Sequence, residues 1–342
     1  MKLGRRVRRI LKGPLLYSDL AGLLDKLIHI KLKVQEPVLL IIMYHEISKD
    51  IYYERGVSAK LFEDELRLLL RLRFEILPLC EALEVLNEEP GKHRRIAVLT
   101  FDDAYKGVYE IALPIMLKYG IRGTIFPVAG FIETRTAHWA PQIGFIVRGI
   151  KVPSTIRIST LRTFISINNQ HDKDVMLSYL LNILPKLDVN EIRAVVNELS
   201  EYISNQDELG ELFERVMMNF EQLNEASELG FEVGGHGYWH VGLTHINKER
   251  LYEEIEKSLN FVNKIMKNTY VKARTFAYPY GLYNNDVVDV LKEKGFSAAV
   301  TMIPKVESTR KWNLYELGRI PPYGSPEAPL TSFKVQLLKS WQ

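Results

Sequence analysis

Two adjacent carboxylates, Asp102 and Asp103, close the apolar run Ile96-Ala97-Val98-Leu99-Thr100-Phe101. Like charges this close raise each other's pKa, so a bare pair is costly at the end of a buried strand. A bound cation removes the conflict: one carboxylate ligates it and the other stays free as a base. The pair also suits a helix N-terminus, where Asp caps orphan N–H groups and meets the positive end of the dipole. A second group tips the balance. His236 and His240, two of only eight histidines, stand four apart in Gly234-Gly235-His236-Gly237-Tyr238-Trp239-His240, after the strand-like Phe231-Glu232-Val233. Imidazoles at that spacing can face one side of a turn, and their neutral nitrogens are good zinc ligands. An Asp-His-His set leaves positions for water and substrate, which marks a catalytic metal rather than a structural one.

The third group is Phe276-Ala277-Tyr278-Pro279-Tyr280-Gly281. Pro followed by Gly ends a strand with a tight turn, whose backbone N–H groups can point at a developing oxyanion. Tyr278 and Pro279 here, with Trp239 of the histidine segment, are the expected substrate-contacting residues. The same pattern also fits an ordinary strand–turn–helix junction. His138 and Trp139 follow the third strand unit and are read as mouth-lining or as packing.

These groups need rigid strand ends. Val38–Tyr44 and Ile96–Phe101 are apolar runs typical of buried strands, and Thr124–Val128 is a third strand candidate. Ser58 opens a helix with Phe62, Leu66, Leu69 and Leu70 at helical spacing, and Asn247 opens another with Leu251, Ile255, Leu259 and Val262 on one face. Thr275–Tyr278, a helix over 287–294 and Phe296–Thr301 resume the alternation. Repeated strand–helix units argue for α/β with parallel strands. Residues 134–218 break the rhythm with little strand pattern and read as a mainly helical insertion; 36–133 and 219–342 form the body, and 1–35 a basic N-terminal segment.

The 342 residues, 46% hydrophobic and 25% charged, suit a globular chain rather than a disordered one. The net charge of +3 is too small for a whole-chain nucleic-acid binder. It is unevenly placed: Lys2, Arg5, Arg6, Arg8, Arg9 and Lys12 precede any acid, and the rest of the chain is slightly negative. That cluster is either a solvated tail or an anchor to an anionic membrane surface. The apolar run after it, Pro14–Tyr17, is too short for an export signal or a membrane span, so a cytoplasmic protein is expected, either free or, if the basic cluster is an anchor, peripheral at the inner membrane face. The single cysteine, Cys80, excludes an intrachain disulfide and a cysteine-based zinc cluster.

The three groups, in this order, resemble the motifs of the polysaccharide deacetylases (NodB-homology, carbohydrate esterase family 4), which carry a TFDD-like motif, H-x-x-x-H and a motif ending in PYG. The resemblance covers roughly 36–132 and 219–322. It implies a distorted (β/α) barrel, a divalent metal (zinc, with nickel, cobalt or manganese as alternatives) and hydrolysis of the N-acetyl amide of an amino sugar in a glycan or lipid-linked glycan. It also implies Asp102 as base, Asp103, His236 and His240 as metal ligands, and the Tyr280 backbone N–H as oxyanion donor.

Two departures stand out. Many members carry an Arg two residues before the Pro of the third motif, where this chain has Ala277; many end in Leu-x-His, but the last histidine here is His245. Met43-Tyr44-His45-Glu46-Ile47 resembles the subgroup that includes poly-N-acetylglucosamine deacetylases, which implies His45 as general acid, and Arg319 in Leu317-Gly318-Arg319-Ile320-Pro321 stands in for the missing Arg. The rival reading is a non-catalytic carbohydrate-binding relative with a silent site. A glycosidase is excluded, because its two carboxylates flank the scissile bond from opposed sides.

Overall fold

The computed structural model describes residues 14–34, 37–48, 56–88, 94–268, 274–307, 312–322 and 329–340. The six basic residues at the start of the chain lie outside them. In chain order the elements are α1 (Pro14–Val34), β1 (Val38–Tyr44), α2 (Ala59–Arg71), β2 (Glu75–Ile76), α3 (Leu79–Glu88), β3 (Arg95–Asp102), α4 (Leu113–Lys118), β4 (Thr124–Phe126) and α5 (Ala129–Glu133). There follow α6 (Trp139–Gly149), β5 (Ser154–Ile158), β6 (Thr163–Ile167), α7 (Gln170–Ile183), α8 (Val189–Ser200), α9 (Gln206–Gly210), α10 (Leu212–Val216) and α11 (Phe220–Glu228). The last are β7 (Glu232–Val233), α12 (Lys248–Ile265), β8 (Thr275–Ala277), α13 (Asn285–Glu293), β9 (Ala298–Val300) and α14 (Pro329–Lys339).

The fold is α/β with a parallel sheet. Its order is β1-β3-β4-β7, with β2 also paired to β3, and β8 pairs with β9; every one of these pairs is parallel. Single parallel bridges extend the pairing: Gly235–Phe276 joins the end of β7 to β8, and Val300–Leu317 and Ile42–Ile320 tie segment 317–320 to β9 and β1. Every residue of β1 is buried, and all of β3 but Arg95. Strand periodicity then sorts the side chains. Leu39, Ile41, Ile96, Val98, Ala277, Val300 and Leu317 share one apolar cluster on the inner face. Leu40, Ile42, Tyr44, Ala97, Leu99 and Phe101 pack on the other face, against helices. Parity therefore puts Thr100 and Asp102 on the inner face, at the carboxyl end of β3.

The helix caps match the expected ones: Ser58 Oγ accepts from Leu61 N and Asn247 Oδ1 from Arg250 N. Two elements differ from expectation. Segment 134–218 carries helices α6 to α10, but also an antiparallel hairpin, β5–β6, registered Ser154 to Ile167. The N-terminal segment holds a full helix, α1, with Leu24, Ile28 and Leu32 buried; it packs on α14, where Lys334 meets Asp25 at 2.7 Å.

One buried group makes stability depend on pH. Burial pushes the Glu65 carboxyl up to about 8, although the Tyr44 hydroxyl donates to it at 2.8 Å. The unfolded carboxyl ionises near ~4.3. Folding is thus undisturbed below that value and loses free energy as pH rises towards about 8. Glu65→Gln should remove this loss, on the order of 5 kcal/mol by pH 8. Thermal melts at pH 5 and pH 8 check it: the variant's advantage should widen with pH, and a constant gap would refute the assignment.

Candidate active site

The strand ends bring the three sequence groups to one place. Asp102 ends β3, and Asp103 follows in a left-handed turn (φ 68°) with Ala104 (φ 57°). His240 (φ 55°) and Tyr280 (φ 58°) share that conformation. Side chains with a Cβ adopt it at a cost of roughly 1 kcal/mol or more each, and such strain collects at functional sites. Glu254, buried on α12, holds the histidine loop by accepting from the backbone N–H of Tyr238 and of Trp239, both at 2.9 Å. That anchor was not visible in the sequence, because Glu254 is one of several acids on α12 and belongs to no motif.

Asp103 Oδ1 lies 3.5 Å from His236 Nε2 and 3.5 Å from His240 Nε2. All three residues are buried, and this oxygen accepts no hydrogen bond. Two ligands at ~2.1 Å from a tetrahedral cation lie about 3.4 Å apart, so the spacing suits a metal such as zinc. The His236 tautomer suits it too. Its Nδ1 donates to the Ala277 carbonyl at 2.8 Å, which leaves Nε2, facing Asp103, as the nitrogen that could meet a cation. Burial holds the His240 imidazole well below its ordinary pKa despite Asp103, so it is neutral, as a ligand must be. Burial also raises the Asp103 carboxyl, but His240, His138 and His236 together hold it well below the usual range. These residues fit a divalent cation.

Asp102 turns to a different partner. Arg319, fully buried, donates from Nη1 to Asp102 Oδ1 at 2.7 Å and from Nη2 to Oδ2 at 2.8 Å. The same guanidinium donates to the Thr301 carbonyl from Nε (2.9 Å) and to Thr100 Oγ1 (3.2 Å). Burial raises the Asp102 carboxyl, yet Arg319, then His236 and His45, outweigh it and keep it ionised. Arg319 reaches the site because Leu317 and Arg319 share the inner face of segment 317–320, while Ile320 packs outward. His45 follows β1, which pairs Tyr44 with Phe101, so it stands beside Asp102; it is 7% exposed.

The aromatic residues divide. The Tyr280 ring sits 4.5 Å from that of His240, and its hydroxyl donates to the His240 carbonyl at 2.9 Å while receiving Trp139 Nε1–H at 3.3 Å. His138 Nε2 lies 3.2 Å from His240 Nδ1, so of its two readings, mouth-lining or packing, the structure has it packed behind a histidine of the cluster. Trp239 is half-buried and lines two cavities beside the site. Tyr278 is not brought to the site. It is fully buried against Phe276 and Val287, and its hydroxyl donates to the Tyr315 carbonyl, because strand parity aims it outward under α13. Pro279 is buried too and packs on Gly237.

Comparison with known proteins bears on what this cluster does. The polysaccharide deacetylase family model matches residues 89–155 and 174–299, more than half of the chain. The chain belongs to the polysaccharide deacetylase family. The unmatched stretch between the two blocks holds most of the β5–β6 hairpin. Poly-beta-1,6-N-acetyl-D-glucosamine N-deacetylase of Staphylococcus aureus (strain MSSA476) is 24% identical over 305 residues, covering 85% of this chain and 80% of that protein. Among solved structures, Streptococcus pyogenes deacetylase PplD in complex with acetate superposes with a TM-score of 0.56 at 18% identity, over 87% of this chain and 99% of that one. IcaB from Ammonifex degensii gives 0.55 at 18%, over 90% and 98%. The chain is a carbohydrate deacetylase, a hydrolase with a candidate metal site of Asp103, His236 and His240.

Proposed function

We propose that this deacetylase hydrolyses the N-acetyl amide of an amino sugar within a glycan or lipid-linked glycan, releasing acetate. The observation that carries the reading is the buried Asp103 oxygen without a hydrogen bond, faced by two imidazole nitrogens, next to a second carboxylate held by Arg319. Asp103, His236 and His240 would hold a divalent cation, zinc by preference for this N,N,O donor set, which would supply Lewis-acid polarisation of the acetamide carbonyl and a more acidic water. Asp102 takes the proton of the attacking water. Its oxygens each spend one lone pair on Arg319 and keep another for that proton. The Tyr280 N–H, in its left-handed turn beside His240, is the proposed donor to the oxyanion. His45, beside Asp102, gives a proton to the departing amine.

The test is acetate release from N-acetylglucosamine oligomers, with metal content measured in parallel. A chelator should abolish release, and zinc should restore it. His236→Ala should lose both metal and activity. Release that survives complete metal removal would refute the reading. A folded, metal-loaded protein that releases no acetate from any N-acetylated glycan would favour the silent-site alternative.

We further infer that the protein lies against an anionic membrane. No helix among the described residues is long and apolar enough to cross one. On α1, however, Leu23 (53% exposed), Leu27 (41%) and Ile30 (59%) form an outward stripe opposite the buried Leu24, Ile28 and Leu32. An apolar stripe that follows a run of basic residues suits a lipid surface. The protein should sediment with anionic vesicles at low salt and be released near ~1 M salt, where the Debye length falls to about 3 Å. Failure to sediment at low salt would overturn this.

A further inference from the structure

Beside the metal cluster, an arginine lies over a tryptophan ring with no acid to pair it. Arg193, exposed on α8, has its guanidinium carbon 4.2 Å from the Trp239 ring centroid. Trp239 immediately precedes the metal ligand His240. Its indole is also held by close neighbours: the Phe131 ring lies 5.7 Å away, and a methyl group added at Gly130 would come within 2.9 Å of it. Stacking occupies the face of a guanidinium but leaves its in-plane N–H donors available. Among the described residues, no carboxylate lies within ion-pair distance of Arg193.

The space around this stack is large enough for a sugar. Arg193 and Trp239 line two cavities, of about 260 Å³ and about 550 Å³, and stand at the divide between them. The one acid on the larger cavity, Asp188, caps α8 through Oδ1, which accepts from the backbone N–H of Asn190 and Glu191. Arg250, on the same cavity, is paired with Glu253 and Glu254, which leaves Arg193 as the cation available to a ligand. A planar fork of donors, held by a pinned ring, suits bidentate capture of a phosphate or carboxylate. A neutral sugar gains less, since the guanidinium already covers the indole face that it would stack on.

We propose that Arg193, stacked on Trp239, forms a subsite for an anionic group, phosphate or carboxylate, borne by a sugar neighbouring the one that is deacetylated. The proposal rests on the deacetylase reading for the identity of the neighbouring site. It makes the natural substrate an acidic glycan, and segment 134–218, which carries α8, the part of the chain that selects it.

Calorimetric titration and acetate-release kinetics on the full, metal-loaded chain test this with three probes: di-N-acetylchitobiose, the same disaccharide phosphorylated on its second sugar, and N-acetylglucosamine linked to glucuronic acid. At least one acidic probe should bind about tenfold or more tighter than the neutral one. Arg193→Gln should erase that difference by weakening the acidic probe alone, and should raise KM for it without lowering kcat. Arg193→Lys should recover part of the binding. Because Arg193 is exposed, the melting temperature should not move, which keeps folding out of the result. A preference for one acidic probe assigns the anion. Equal binding of all probes by the wild-type chain, or an acidic preference untouched by Arg193→Gln, would overturn the subsite. Arg193-dependent binding without acetate release would leave the subsite standing and refute the deacetylase reading instead.

Discussion

Asp102→Asn should lower kcat for acetate release by roughly 10²–10⁴, the range that a positioned general base contributes. Metal content should stay at the wild-type level, because the candidate ligands are Asp103, His236 and His240. The substitution also disturbs Arg319. An amide offers one carbonyl oxygen to the fork and turns an NH₂ group towards its other arm, where donor meets donor. The buried guanidinium then lacks its counter-charge, so the melting temperature should fall as well. Metal analysis and circular dichroism separate the two effects: a folded, metal-loaded variant with a lost rate isolates the base. A rate near wild type in that variant would show that another group takes the proton.

The chemistry of this chain was more legible than its periphery. A parallel sheet puts the carboxyl ends of its strands together, so motifs at strand ends far apart in sequence meet in space. Asp102, Asp103, His236 and His240 meet for that reason, and Arg319 joins them because it shares the inner face with Leu317. Tyr278 was misplaced by motif reading, although strand parity held the answer: Ala277 faces inward, so its neighbour faces out. The β5–β6 hairpin was missed because its alternation is blurred. Ile156, Ile158 and Ile167 are buried, but Phe164 is 68% exposed, so hydrophobicity there does not track burial. Helix α1 was missed for a related reason. Leucines and isoleucines lie on both its faces, and that hides the stripe that a one-sided helix would show. Arg193 carries no motif at all; only the fold of segment 134–218 brings it to Trp239.

Arg319→Met should be the most destabilising single change at the site. It removes one partner of a fully buried ion pair and leaves Asp102 with an uncompensated charge, a loss of about 3–5 kcal/mol. Asp102 would then respond to burial alone, which pushes its carboxyl up, and would no longer be ionised across the neutral range. The rate should therefore fall at neutral pH and recover partly as pH rises, because the variant's base must lose a proton before it can accept one. Arg319→Lys separates charge from geometry. A lysine keeps the charge but not the two-armed hold on Oδ1 and Oδ2, nor the bonds to Thr100 and Thr301. It should restore ionisation of Asp102 and much of the stability, while kcat stays reduced because the carboxylate is less well aimed. Thermal melts and pH–rate profiles of both variants check this. If Arg319→Met kept the wild-type pH profile, Arg319 would be a structural residue only, and the absence of an arginine at Ala277 would lack its replacement.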